Sequence, residues 1–302
     1  MLNSITGFHI EPTNICMLKC PSCSRTKFIN QIGIAKWKNS QINLTDFKKF
    51  FDIDLTNKTF TLCGNYGDPI YYDNLFPMID WIKNQGALVR IITNGSYRKT
   101  QWWDRLASLL SEKDSVIFSV DGSPDNFTNY RINADWPSIQ IGIDIITKSQ
   151  AKTIWKYIPF SFNVDSIEST RELSQQLGIN EFQIDPSDRW DGENDPLQPR
   201  EYTGPRESTI IRWRKNNSDI LEVDAKCKTT YNQHYISADG FYMPCCFVGD
   251  HRFYYKSEFY KNKEKYSISN TTITEVLNNT QEFYDGIETS KPSYCTFNCP
   301  KI

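Results

Sequence analysis

A chain of 302 residues with 34 Lys/Arg against 36 Asp/Glu, mixed along its length, has a net charge of −2 and no basic stripe, which does not favour an extended grip on nucleic-acid phosphates. No apolar run approaches the roughly 20 residues needed to cross a bilayer, and Met1–Gly7 lacks the charged start and apolar centre of a secretory leader, so the chain is expected to work in the cytoplasm, away from membranes. Nine Cys in that compartment point to metal ligands or reactive thiols rather than disulfides, and the length allows one large core or one core plus a small appended domain.

From Thr6 to Asp185 short β-rich runs alternate with amphipathic stretches. Strands are expected at Gly7–Glu11, Thr59–Cys63, Leu88–Thr93, Ser115–Val120, Trp155–Val164 and Glu181–Asp185. Helices are expected at Asn74–Asn84, Thr100–Leu110, Ser138–Ser149 and Ser169–Gln176, with Gly86 and Gly178 as stops. Six β/α units imply an α/β fold with a parallel sheet, active residues lying at the carboxyl ends of its strands. This first unit spans residues 1–185. Pro186, Pro196, Pro199 and Pro205 then interrupt a bridge or lid over 186–218, with one helix near Ser208–Lys215. Residues 219–302 read as a small second domain. It holds Cys227 and a hairpin signal, His234–Ser237 and Phe241–Met243 around Ala238-Asp239-Gly240, then a short helix at Ile273–Asn278 before the last cysteines.

The strongest chemical signal lies just past the first strand. Cys16, Cys20 and Cys23 form a CxxxCxxC run preceded by Glu11-Pro12-Thr13-Asn14. Three thiolates can hold three irons of a 4Fe–4S cluster and leave the fourth open, the arrangement needed to bind and reductively cleave S-adenosylmethionine. A zinc site would want four ligands in paired spacings, and His9, His234 and His251 stand at no HxxxH spacing. A two-cluster ferredoxin would carry a CxxCxxCxxxC run, which is absent. In these residues the chain resembles the radical SAM superfamily.

That resemblance implies a partial (β/α)6 barrel and assigns further residues. The segment Cys63-Gly64-Asn65-Tyr66-Gly67-Asp68-Pro69 resembles the GGEP-like loop whose carbonyls and acidic side chain receive the methionine ammonium, with Asp68 in place of the usual Glu and Gly67 allowing close approach. Thr93-Asn94-Gly95 resembles the turn that shapes the pocket floor. Ser22 stands where the superfamily usually has an aromatic residue flanking the adenine. Ser119-Val120-Asp121-Gly122 resembles the SxDG segment of the SPASM/Twitch branch, whose Ser lies near the methionine or ribose. Arg131 matches the Arg that binds the methionine carboxylate, a suitable fork for two charge-assisted bonds, and Asn163 is a candidate ribose contact.

Cys227, twelve residues, Gly240, four residues and Cys245 match the opening of the SPASM/Twitch motif, and Cys295 and Cys299 add a CxxxC pair. The implied C-terminal domain is of Twitch type, with one auxiliary 4Fe–4S cluster on these four cysteines, although the same four could build a structural zinc site. Cys246 adjoins Cys245, and Cys63 and Cys246 are otherwise unassigned.

Within that branch the layout is similar to that of the 2-deoxy-scyllo-inosamine dehydrogenases. The implied reaction takes a hydrogen atom from a substrate carbon by a 5′-deoxyadenosyl radical. A two-electron oxidation of a small polar or sugar-like substrate follows, with the auxiliary cluster as electron acceptor and a flavodoxin- or ferredoxin-type donor as partner. A radical epimerase, with Cys63 or Cys246 returning a hydrogen atom, a peptide-modifying enzyme and a non-catalytic zinc-binding module are the alternatives.

Overall fold

Strand alternation decides how this chain closes. In the computed structural model, which describes residues 5–185, 187, 195–199, 222–225, 227 and 234–299, six parallel strands follow one another: β1 (Gly7–Ile10), β2 (Thr59–Leu62), β3 (Leu88–Thr93), β4 (Ser115–Ser119), β5 (Lys152–Tyr157) and β6 (Glu181–Ile184). The hairpin β7 (His234–Ile236) and β8 (Tyr242–Met243) completes an eight-stranded sheet in the order β6-β5-β4-β3-β2-β1-β7-β8. On one face Phe8, Ile10, Phe60, Leu62, Val89, Ile91, Val116, Phe118, Trp155 and Tyr157 are buried in a single core. Period-2 alternation turns the other residues the opposite way, and the register aligns them in rows: His9 beside Thr61 and Tyr235, Ile92 beside Ile117, Ser119 beside Lys156.

Of the connecting helices all but the first bury apolar residues in the core. These helices are α1 (Ser24–Ile32), α2 (Leu44–Phe50), α3 (Leu75–Asn84), α4 (Thr100–Leu109), α5 (Trp136–Ile146) and α6 (Ile167–Gln176). Asn43 caps α2 by accepting from Thr45 and Asp46, and Asp135 caps α5, which begins two residues before the expected start, with Pro137 in the first turn. Gly86 (φ +72°) and Gly178 (φ +77°) stand just past α3 and α6 in the left-handed conformation that ends a helix. β5 differs from expectation: it starts at Lys152 and stops at Tyr157, before Pro159, whose missing N–H ill suits a ladder.

The C-terminal segment joins the barrel through main-chain pairing. The expected hairpin forms, and β7 runs parallel to β1 while β8 returns antiparallel. Ile236 and Tyr242 enter the same core as the barrel strands. Two single-turn helices, α7 (Glu258–Lys261) and α8 (Lys263–Tyr266), precede α9 (Ile273–Ser290) and α10 (Ser293–Asn298). α9 is three times the length expected. Its start carries a capping box, with Thr272 and Glu275 bonding each other's backbone N–H. Its buried stripe Ile273, Val276, Leu277, Thr280, Tyr284 and Ile287 continues at helical spacing past Asn278. Most of the bridge, including the Ser208–Lys215 helix, lies outside the described residues. Among the described residues no helix is long and apolar enough to cross a membrane.

Candidate functional site

At the carboxyl ends of the parallel strands a cavity of ≈ 470 Å³ opens, and Cys16, Cys20 and Cys23 all line it. The loop carrying them runs from the end of β1 to α1, whose N-cap residue is Cys23. Burial pushes the Cys16 thiol far above its usual range and the Cys20 thiol up to about 12, the latter opposed by the Arg131 guanidinium. Among the described residues no three His, Cys, Asp or Glu side chains form a ready grip on a single metal ion.

Asp68 faces the same cavity, but its carboxylate has work inside the chain. Oδ1 accepts from Thr93 Oγ1 at 2.8 Å and Ile70 N at 3.2 Å, while Oδ2 accepts from Asn94 N at 2.6 Å and from Asn94 Nδ2. All four lone-pair positions are thereby filled. Through these bonds Asp68 pins the Thr93-Asn94-Gly95 turn to the β2 loop. Burial raises its pKa despite these donors. Asn94 passes the contact on, its Nδ2 lying 3.7 Å from Cys16 Sγ.

The β2 loop depends on a residue that sequence reading treated only as a lead-in. Glu11 is buried, its Oε1 accepting from Tyr66 N at 2.7 Å and Gly67 N at 2.9 Å, and its Oε2 accepting from the Tyr235 hydroxyl. A side chain at Gly67 would lie 1.8 Å from Thr13 O, so only glycine lets the loop lie flat there. Tyr66 lines the cavity, and its buried hydroxyl has no hydrogen-bond partner among the described residues.

Ser119 and Arg131 line the cavity as well, with Arg131 Nε on Asp121 Oδ2 at 2.7 Å. Two candidates fall elsewhere. Asn163 follows β5 rather than ending it, and its amide is occupied by Phe160 N, Asp121 O and Ile158 O, so it staples backbone instead of lining the cavity. Ser22 is buried and likewise absent from the lining.

Comparison with known proteins follows this geometry. No protein-family profile and no curated protein matches the chain. Solved structures do. Streptococcus suis SuiB bound to S-adenosylmethionine aligns at TM-score 0.65 and 13% identity over 94% of this chain and 68% of its own. The anSMEcpe protein with bound AdoMet and the Kp18Cys peptide aligns at 0.62 and 15%, over 92% and 82%. BtrN in complex with AdoMet and 2-DOIA aligns at 0.51 and 12%, over 99% and 94%. These neighbours are radical SAM enzymes. The chain has the radical SAM fold.

On that fold the far wall of the cavity carries groups that the motifs did not flag. Lys156 on β5 and Asp185 just after β6 pair with each other and line the cavity, their side chains 26% and 29% exposed. Strand alternation could have found them, since Lys156 pairs with Ser119 and Asp185 lies two residues past Gln183, the partner of Lys156 on β6, and so on the same face. Cys63 lines the cavity beside them, its thiol pushed up to about 12 by burial.

A second thiol group lies under α9 of this radical SAM fold. Cys295 is buried with Val223, Ala225, Tyr284 and Ile287, and Cys227 and Cys299 pack against that cluster. Cys295 opposes ionisation together with Cys227 and Cys299, and Cys245 with Cys227 and Cys295, so all four expected ligands are electrostatic neighbours. α10 supplies Cys295 from within and Cys299 at its end. Cys246 does not line the cavity; its carbonyl accepts from Asn65 Nδ2 at 2.8 Å.

Proposed function

We propose that this chain is a radical SAM enzyme that oxidises a small polar or sugar-like substrate by two electrons, passing the second electron to an auxiliary cluster. The observation carrying this reading is the convergence of Cys16, Cys20 and Cys23 with Tyr66, Asn94, Ser119 and Arg131 on one cavity at the strand ends. The donor set fits the implied groups. Three thiols, that of Cys20 buried and those of Cys16 and Cys23 partly so, suit a cluster with one open iron, and Tyr66 and Gly67 line the same cavity, which has room for S-adenosylmethionine. When bound, cluster and S-adenosylmethionine supply a radical able to take hydrogen from an unactivated carbon.

The chain's own residues orient and exclude. Arg131, held at one edge by Asp121, keeps further guanidinium donors for a carboxylate. Asp68 and Glu11 fix the loops that frame the methionine end. Lys156 and Asp185 offer a donor and an acceptor on the opposite wall, which favours a substrate with hydroxyl or amine groups; Asp185 could receive the proton that an alcohol releases on oxidation. Cys227, Cys245, Cys295 and Cys299 would hold the auxiliary cluster with no site left open. The small-molecule reading is supported by the mutual coverage with BtrN, while SuiB and anSMEcpe keep peptide substrates as an alternative. One observation favours a radical epimerase as second reading: Cys63 lines the cavity, where a thiol could return a hydrogen atom. Anaerobic assay of 5′-deoxyadenosine with candidate polyols, amino sugars and peptides separates the readings. Oxidised product supports the first, inverted product without net redox change the second, and no 5′-deoxyadenosine with any substrate or none sinks both.

A further inference from the structure

The β2 loop from Gly64 to Asp68 is gripped from behind. Two adjacent N–H groups, of Tyr66 and Gly67, point at one carboxylate oxygen of Glu11, and the first of these bonds is fully buried. A side chain at Gly64 would meet that same oxygen at 2.4 Å, so the loop is laid directly on Glu11. The other carboxylate oxygen receives the hydroxyl of Tyr235, which stands on β7 and reaches Glu11 across the pairing with β1. The loop has an independent second tie to the C-terminal segment, from Asn65 Nδ2 to the carbonyl of Cys246, next to the auxiliary ligand Cys245. The same loop also holds the carbonyl of Asn65 toward Cys23 Sγ, at 3.9 Å.

We infer that Glu11 is the positioning residue of this loop and that Tyr235, acting through it, couples the seating of the C-terminal hairpin to S-adenosylmethionine binding. The inference rests on the radical SAM reading for its ligand but not for its geometry. Neither residue reacts. Glu11 gathers two N–H groups that would otherwise be left without acceptors in a buried place, and so holds Tyr66 and Gly67 at the cavity wall. Tyr235 fixes the carboxylate's direction. A displaced hairpin would release that oxygen, and the loop would lose its template.

Three variants of the cluster-loaded chain test this: Glu11→Ala, Glu11→Gln and Tyr235→Phe. Two readouts are taken on each, amide hydrogen exchange of the peptide covering Tyr66 and Gly67 and S-adenosylmethionine affinity by equilibrium dialysis, with iron content as control. Glu11→Ala should speed exchange at those amides and weaken affinity about ten- to a hundredfold, the effect of leaving buried donors without an acceptor. Glu11→Gln retains an acceptor for both N–H groups and can donate to Tyr235, so it should stay within about threefold of wild type. Tyr235→Phe should fall between them, with iron content unchanged. Unchanged exchange in Glu11→Ala, or Glu11→Gln as impaired as Glu11→Ala, overturns the positioning role. Wild-type affinity in Tyr235→Phe overturns the coupling. Should Glu11→Ala fail to fold, the other two variants still decide. A wild-type chain that loads iron but binds no S-adenosylmethionine defeats the ligand reading instead, and the exchange data then judge the geometry alone.

Discussion

Single residues in this cavity do their work mostly through other residues. Asp68 shows it: the motif placed it correctly at the cavity, yet its role depends on Thr93 and Asn94, which come from a different strand. Asp68→Asn puts an amide against the Asn94 donors. We expect a loss of about 1–3 kcal/mol in denaturant unfolding, from unmet buried donors, together with weaker S-adenosylmethionine binding. Unchanged stability would mean the four hydrogen bonds at Asp68 are not holding the turn. Glu11 offers a test with a pH signature. Burial raises its carboxyl from 4.5 to about 7, so between those values the folded chain binds more proton than the unfolded one. Stability therefore falls as pH rises through this window, by at most roughly 3 kcal/mol, and the loss is complete above pH 7. Glu11→Gln removes that titration. The Tm of the variant relative to wild type should rise from pH 4.5 to pH 7.5, and a constant offset at every pH would contradict this. Glu11 was visible in the sequence only as part of a motif. Nothing local announces that its partners are N–H groups 55 and 56 positions away.

Elements were legible where periodicity is local and obscure where partners are distant. β1 to β4 and β6 fall within a residue of their expected ends because each apolar run is bounded by turn chemistry. β5 was misplaced because Ile158, Phe160 and Phe162 extend the apolar look beyond Pro159, and that error carried Asn163 into the site. α9 was cut short at the poor helix formers Asn278 and Asn279, although the stripe from Val276 to Ile287 keeps its spacing. The hairpin was readable from Ala238-Asp239-Gly240, but its pairing with β1, more than 200 positions earlier, leaves no local pattern. The far end of α9 matters because Ile287 is wholly buried against Cys295. Ile287→Ala should cost about 2–5 kcal/mol and reduce metal loading at the C-terminal site while sparing the barrel site, read by unfolding and by iron content. Equal loss at both sites would show that α9 supports the whole fold and not the second site in particular.

Across the whole molecule the barrel and the C-terminal segment are locked at several points. β7 pairs with β1, Tyr235 holds Glu11, and Ser24, directly after Cys23, donates to Asp250 at 2.8 Å. Arg252, also on Asp250, and nearby His251 hold that carboxyl well below its usual range despite burial, so the tie stays charged. These links place the two thiol groups in one framework, as electron transfer between a substrate site and an auxiliary cluster would need. If the auxiliary cluster is the acceptor, Cys295→Ala with Cys299→Ala should leave 5′-deoxyadenosine formation in place, at least in part, and abolish oxidised product. Full product formation would remove that role, and parallel loss of folded protein would make the site a structural staple. The central claim rests on the first thiol group, and one comparison addresses it directly: iron content and 5′-deoxyadenosine formation in the anaerobically reconstituted, reduced chain, beside the Cys16→Ala, Cys20→Ala, Cys23→Ala triple variant. We predict about seven to eight irons per wild-type chain, from two 4Fe–4S clusters, roughly half that number in the variant, and 5′-deoxyadenosine only from wild type. Cleavage of S-adenosylmethionine by the triple variant, or a wild-type chain that takes up zinc in place of iron, would contradict it.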